Sequence, residues 1–128
     1  MQVAWLLMTT AFIEAVTGVS LFTVPNLVAE LLFGEPLAGT GLALARVAGV
    51  SLFALGMVAW RSRQEDGNSP ALAAMLTYNV VVAIYLGYLG ADGQLVGKLL
   101  WPATALHAGL GLLLVRAWWS RKPEPFAQ

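Results

Sequence analysis

Apolar residues dominate four long stretches of the chain, residues 3–24, 37–60, 71–89 and 99–119, and short segments rich in polar residues, Gly or Pro separate them. A hydrocarbon layer about 30 Å thick is crossed by about 20 helical residues. Each stretch is close to or beyond that length. Backbone groups in lipid must be satisfied within their own segment, so each stretch is predicted to be an α-helix. None alternates apolar with polar residues, which argues against the strands of a membrane barrel. The pattern predicts an all-α membrane protein, with four antiparallel transmembrane helices in one bundle and a single domain over residues 1–128. The first stretch has no basic segment before it, is too long for the apolar region of a signal peptide, and carries Glu14. It reads as a retained span.

The connections sharpen this outline. Segment 25–34 opens with Pro25 and closes with Gly34, too short to span. Asn26 reads as its cap and Gly34 as its stop, giving a short helix in the outer interface. Segment 61–70 (RSRQEDGNSP) reads as a turn. Segment 91–98 is a loop with two glycines, and Pro102 suits the first turn of the fourth span. Gly41, Ala45 and Gly49 recur every four residues in the second span, as do Ala105 and Gly109 in the fourth, with Gly111 close by. Small residues at that spacing predict close helix contact.

Composition agrees with a membrane location: 59% of residues are hydrophobic and 11% charged, against about 25% charged in soluble domains. Net charge is zero, so no basic surface points to nucleic acid, and the absence of cysteine excludes thiol chemistry. Arg61, Arg63, Arg121 and Lys122, with Arg116 nearby, fall on one side; Lys98 stands alone on the other beside Glu30, Glu35 and Asp92. The positive-inside rule then predicts a multi-pass inner-membrane protein with both termini cytoplasmic. Trp60, Trp118, Trp119 and Trp5 lie near the predicted inner interface and Trp101 at the outer one, the depth that indole prefers.

Each span carries one strongly polar residue near its middle: Glu14, Arg46, Asn79 and His107. The rise per residue sets Glu14 about 17 Å from the inner edge, Arg46 about 14 Å and His107 about 12 Å from the outer edge, and Asn79 about 12 Å from the inner edge. These depths are similar enough for the four to meet. Thr10, Glu14 and Thr17 share a face of the first span, Thr104 and His107 a face of the fourth, and Tyr78 and Tyr85 a face of the third. An ion pair between Glu14 and Arg46 is expected, with Asn79, Tyr85 and His107 bonding to it and Thr10, Thr17, Tyr78 and Thr104 around them. Such a cluster reads as a structural clamp, as a pocket for a polar headgroup, or as a proton-transfer site at Glu14 or His107. Tyr88 reads as interfacial. A single histidine excludes bis-histidine haem ligation, and no zinc ligand set accompanies it. No phosphate loop, nucleophile elbow or paired-carboxylate site is present, so no residue is assigned a catalytic role.

Two resemblances follow from these residues. Glu14, within the segment 11–18 (AFIEAVTG), is similar to the first-span carboxylate of small multidrug resistance exporters, which implies proton-coupled transport. The strong charge bias and Arg46 depart from that family's pattern. Over the whole chain the four-span architecture, with Ala45-Arg46-x-x-Gly49 in the second span, resembles small bacterial membrane proteins of DoxX-like type. Some of that group are tied to quinone-linked oxidation, so quinone or lipid is the implied ligand. The resulting expectation is a non-catalytic accessory subunit or binder of a lipophilic ligand. The alternatives are a small subunit of a quinone-linked oxidoreductase and a proton-coupled transporter. Membrane lipid, a larger membrane complex or a homo-oligomer are the expected partners.

Overall fold

The computed structural model describes residues 2–65 and 69–120. Among them the regular structure is helical: α1 (Gln2–Thr23), α2 (Pro25–Phe33), α3 (Thr40–Arg61), a 3-10 turn at Ser62–Gln64, α4 (Pro70–Asp92) and α5 (Leu100–Ser120). Four of these, α1, α3, α4 and α5, are long and apolar enough to cross a membrane. Residues 66–68 of the predicted turn, and the predicted interfacial cations Arg121 and Lys122, lie outside the described residues.

Local chemistry sets the ends of the helices. Pro70 occupies the first turn of α4, where its missing N–H costs nothing, and the Ser69 side chain accepts from Leu72 N–H at 3.2 Å. Gly93 (φ 77°) ends α4 and Gly34 (φ 82°) ends α2, both left-handed positions suited to glycine. Asn26 does not cap α2, because Pro25 already stands at the start of the helix after Val24. The Asn26 Oδ1 instead accepts from Leu37 N–H at 3.0 Å, tying the α2–α3 loop back onto α2. That tie holds Leu37 outside the helix, so α3 begins at Thr40 rather than at 37.

Glycines decide which helices meet. A Cβ on Gly18 would lie 2.5 Å from the Gly49 carbonyl oxygen, and one on Gly56 would lie 2.8 Å from that of Ala11, so α1 and α3 touch backbone to backbone. Gly111 of α5 packs against Val80 of α4, and Gly90 of α4 against the Trp101 ring. The predicted contact face of the fourth span is corrected here: Ala105 and Gly109 are exposed, and a Cβ on Gly109 would meet nothing. Gly111 is the small residue of α5 that makes the contact, because Ala105 and Gly109 lie on a different side of the helix.

The four long helices share one core, formed by Leu7 and Ala11 of α1, Ala59 of α3, Leu72 and Met75 of α4, and Leu114 of α5. It lies at the end of the bundle where α1 and α4 begin and α3 and α5 finish. Over their whole length the α1–α3 pair and the α4–α5 pair touch each other sparsely. At the far end α2 touches α1, α3 and α5. Two backbone bonds pin α2 to the loop before α5, Gly97 N–H to the Leu32 carbonyl at 2.9 Å and Leu99 N–H to that of Leu31 at 2.7 Å. The core shared by all four long helices thus lies at one end, and the space beneath α2 opens at the other.

Candidate functional site

Glu14 sits mid-way along α1 and is 0% exposed. The Tyr78 hydroxyl stands close enough to its carboxylate to interact with it, yet neither oxygen has a partner at hydrogen-bond geometry. A buried carboxylate left in this state is costly, and such groups call for an explanation. Asn79, on α4, is also 0% exposed but fully engaged. Its Nδ2 donates to the Met75 carbonyl at 2.9 Å, the bond to the preceding turn that a short amide makes within a helix. Its Oδ1 lies 2.9 Å from His107 Nδ1 on α5. The edge of one ring faces the other between Tyr78 and His107, with centroids 5.7 Å apart at 78°.

This chain of contacts fixes the chemistry of the imidazole. The Met75 carbonyl can only accept, so Asn79 must turn its NH2 toward it and its oxygen toward His107. The His107 Nδ1 therefore carries the hydrogen and donates. In the neutral ring Nε2 is left with a lone pair. A ligand reaching that nitrogen must bring a hydrogen-bond donor.

Tyr78 and His107 line a cavity of about 540 Å³ between α1, α4 and α5, with α2 over it. Its walls are mostly apolar; Thr17 and Ser20 of α1 add hydroxyls, and Leu27 and Leu31 of α2 help to close it. Volume and lining fall in the range of small-molecule sites, about 300–1,000 Å³ with a few convergent polar groups. Residues of all four long helices line this space, and α2 touches α1, α3 and α5 beside it without filling it.

The structure brings together Glu14, Tyr78, Asn79 and His107, and it leaves other expected members apart. The Glu14–Arg46 ion pair is not formed: neither Glu14 oxygen has a partner at hydrogen-bond geometry, and Arg46 is exposed on the outside of α3. Gly18 faces Gly49 and Ala11 faces Gly56, so Glu14 is level with Phe53. Arg46 lies seven residues, about 10 Å, nearer the start of α3. It also follows Ala45, a buried member of the α1-facing stripe, and one residue turns a helix by about 100°. Tyr85 is 58% exposed, because Leu86 rather than Tyr85 holds the inward position there. Thr10 is buried but its hydroxyl is bonded to the Leu6 and Leu7 carbonyls, and the Thr104 hydroxyl to that of Leu100. The α2 residues of the cavity were not anticipated; the unusual apolarity of a segment too short to span was the signal that they face something other than water. Among the described residues no group of three or more His, Asp or Glu side chains could hold a metal ion.

Compared with known proteins, the chain matches no family model, no curated protein and no solved structure.

Proposed function

We propose that this protein is a non-catalytic integral membrane protein that holds a lipophilic molecule by its polar head. In this reading the four long helices cross the membrane in alternating directions as one bundle. Both termini face the cytoplasm of a bacterial cell, and α2 lies in the outer interface. The ligand enters from the outer leaflet beneath α2, with its apolar part in the 540 Å³ cavity and its head against Tyr78 and His107. The observation that carries this reading is the pairing of that cavity with an orphaned buried carboxylate beside the tyrosine. A buried carboxyl group with no partner at hydrogen-bond geometry costs stability, so its presence is better explained by use.

The fixed imidazole narrows the ligand to one that donates a hydrogen bond, such as an alcohol, a phenol or a quinol. The last of these supports a second reading, a subunit serving quinone-linked oxidation, which the resemblance of the sequence to DoxX-like proteins would also imply. A reduced quinone would donate to His107 and accept from Tyr78, the two polar side chains at the inner end of one cavity.

The test uses the protein in nanodiscs with an alkyl hydroquinone and its dimethyl ether as probes. The hydroquinone is expected to raise the melting temperature and the ether to have little effect. Replacing His107 by Leu should weaken hydroquinone binding about fivefold, the worth of one net hydrogen bond of about 1 kcal/mol. Equal binding of both probes, or no effect of the substitution, contradicts the reading.

A further inference from the structure

A second cavity, of about 450 Å³, opens between α1 and α5 at the opposite end of the bundle, and it has a different character. Val3, Leu6 and Leu113 supply apolar walls, and Arg116 lines it directly. Arg116 is exposed, and among the described residues its guanidinium makes no bond or ion pair. The hydroxyls of Thr9 and Ser120, which also line the space, are bonded to the Trp5 and Arg116 carbonyls at 2.9 and 2.8 Å. Their hydrogens are therefore already committed, and among the described lining residues the guanidinium is the charged donor.

Depth identifies the occupant. Arg116 stands four residues, about 6 Å, from the end of α5, and Trp5, 65% exposed on the cavity's rim, stands about 5 Å from the start of α1. That is the boundary between hydrocarbon and headgroups, where indole rings settle and where a phosphodiester meets the acyl chains. A planar guanidinium recognises phosphate by paired N–H bonds. By the distribution of charge this end faces the cytoplasm, the leaflet rich in anionic lipid.

We propose that the α1–α5 cavity is a binding site for an anionic phospholipid of that leaflet, with the phosphate on Arg116 and the start of an acyl chain between Val3, Leu6 and Leu113. This site shares no residue with the cavity at Tyr78 and His107, and it stands or falls separately from the ligand proposed there.

The experiment is native mass spectrometry of the full chain, released from micelles carrying phosphatidylglycerol or a diacylglycerol with the same chains. Phosphatidylglycerol adducts are expected and diacylglycerol adducts are not. Arg116→Gln should lower phosphatidylglycerol binding about tenfold, the scale of a charge-assisted bond, while Arg116→Lys retains most of it. Thr9→Trp, which fills the cavity from an exposed position, should reduce binding with the charge intact. Arg46→Gln removes an exposed arginine from another face and should change nothing, as should His107→Leu. Equal loss with Arg46→Gln would mean that any surface cation suffices, and unchanged binding in Arg116→Gln would mean that no phosphate sits there; either result overturns the proposal. So does a stable dimer or bound protein that covers Arg116 and excludes lipid.

Discussion

Glu14 is the residue on which a structural and a functional reading make opposite predictions. A carboxylate that clamps helices has partners, and its removal costs several kcal/mol. Glu14 has none at hydrogen-bond geometry despite complete burial. Replacing it with Leu is therefore expected to leave unfolding in a denaturing detergent titration unchanged or shifted upward, while hydroquinone binding in nanodiscs falls. A loss of about 3 kcal/mol or more in stability would instead identify a clamp. Part of this site was legible in the sequence. Glu14, Asn79 and His107 interrupt apolar stretches, and a short polar side chain in such a stretch has nowhere to go but inward. Arg46 satisfied the same criterion and still faces out, because a long aliphatic stem allows an arginine to carry its charge toward the interface. Its position along the span was readable; its direction was hidden.

At the scale of the elements, direction is what apolar helices conceal. A helix that is hydrophobic all round has no polar face to mark its outside, so only small residues reveal which side meets a neighbour. The Ala45 and Gly49 spacing did so for α3, and it also held the information that Arg46 stands off that face. The similar Ala105 and Gly109 spacing pointed the wrong way for α5, since nothing distinguishes a contact stripe from a lipid-facing one by spacing alone. The two stripes give contrasting expectations. In Gly49→Val the new side chain must displace the Gly18 carbonyl, only 2.5 Å from its Cβ, and stability should fall by about 1–3 kcal/mol or more. Gly109→Ala places its methyl in open space and should stabilise by about 0.5–1 kcal/mol through helix propensity alone. Thermal unfolding of the two variants in one detergent compares them directly.

For the whole molecule, the asymmetry between an end holding the four-helix core and an end open beneath α2 is the feature from which function follows. The spans were legible because length and apolarity are properties of a segment. The cavity was not, because it depends on how residues of five separate helices are placed against one another. The orientation that gives the open end to the outer leaflet is checked with a chain that contains no native cysteine. Single cysteines at Gln64 and Gln94, both exposed and separated by α4, should differ toward a membrane-impermeant maleimide. In intact spheroplasts Gln94→Cys should react, and Gln64→Cys only after permeabilisation; the reverse pattern would turn the molecule over.

An experimental density map of the protein, released gently from its native membrane, would show whether the cavity beneath α2 holds a ligand. An elongated non-protein molecule is expected beneath α2, with a hydrogen-bond donor within bonding distance of His107 Nε2 and its head beside Tyr78 and Glu14. A cavity closed by α1 resting against α5, or a Glu14 carboxylate bonded to protein groups alone, would contradict this expectation.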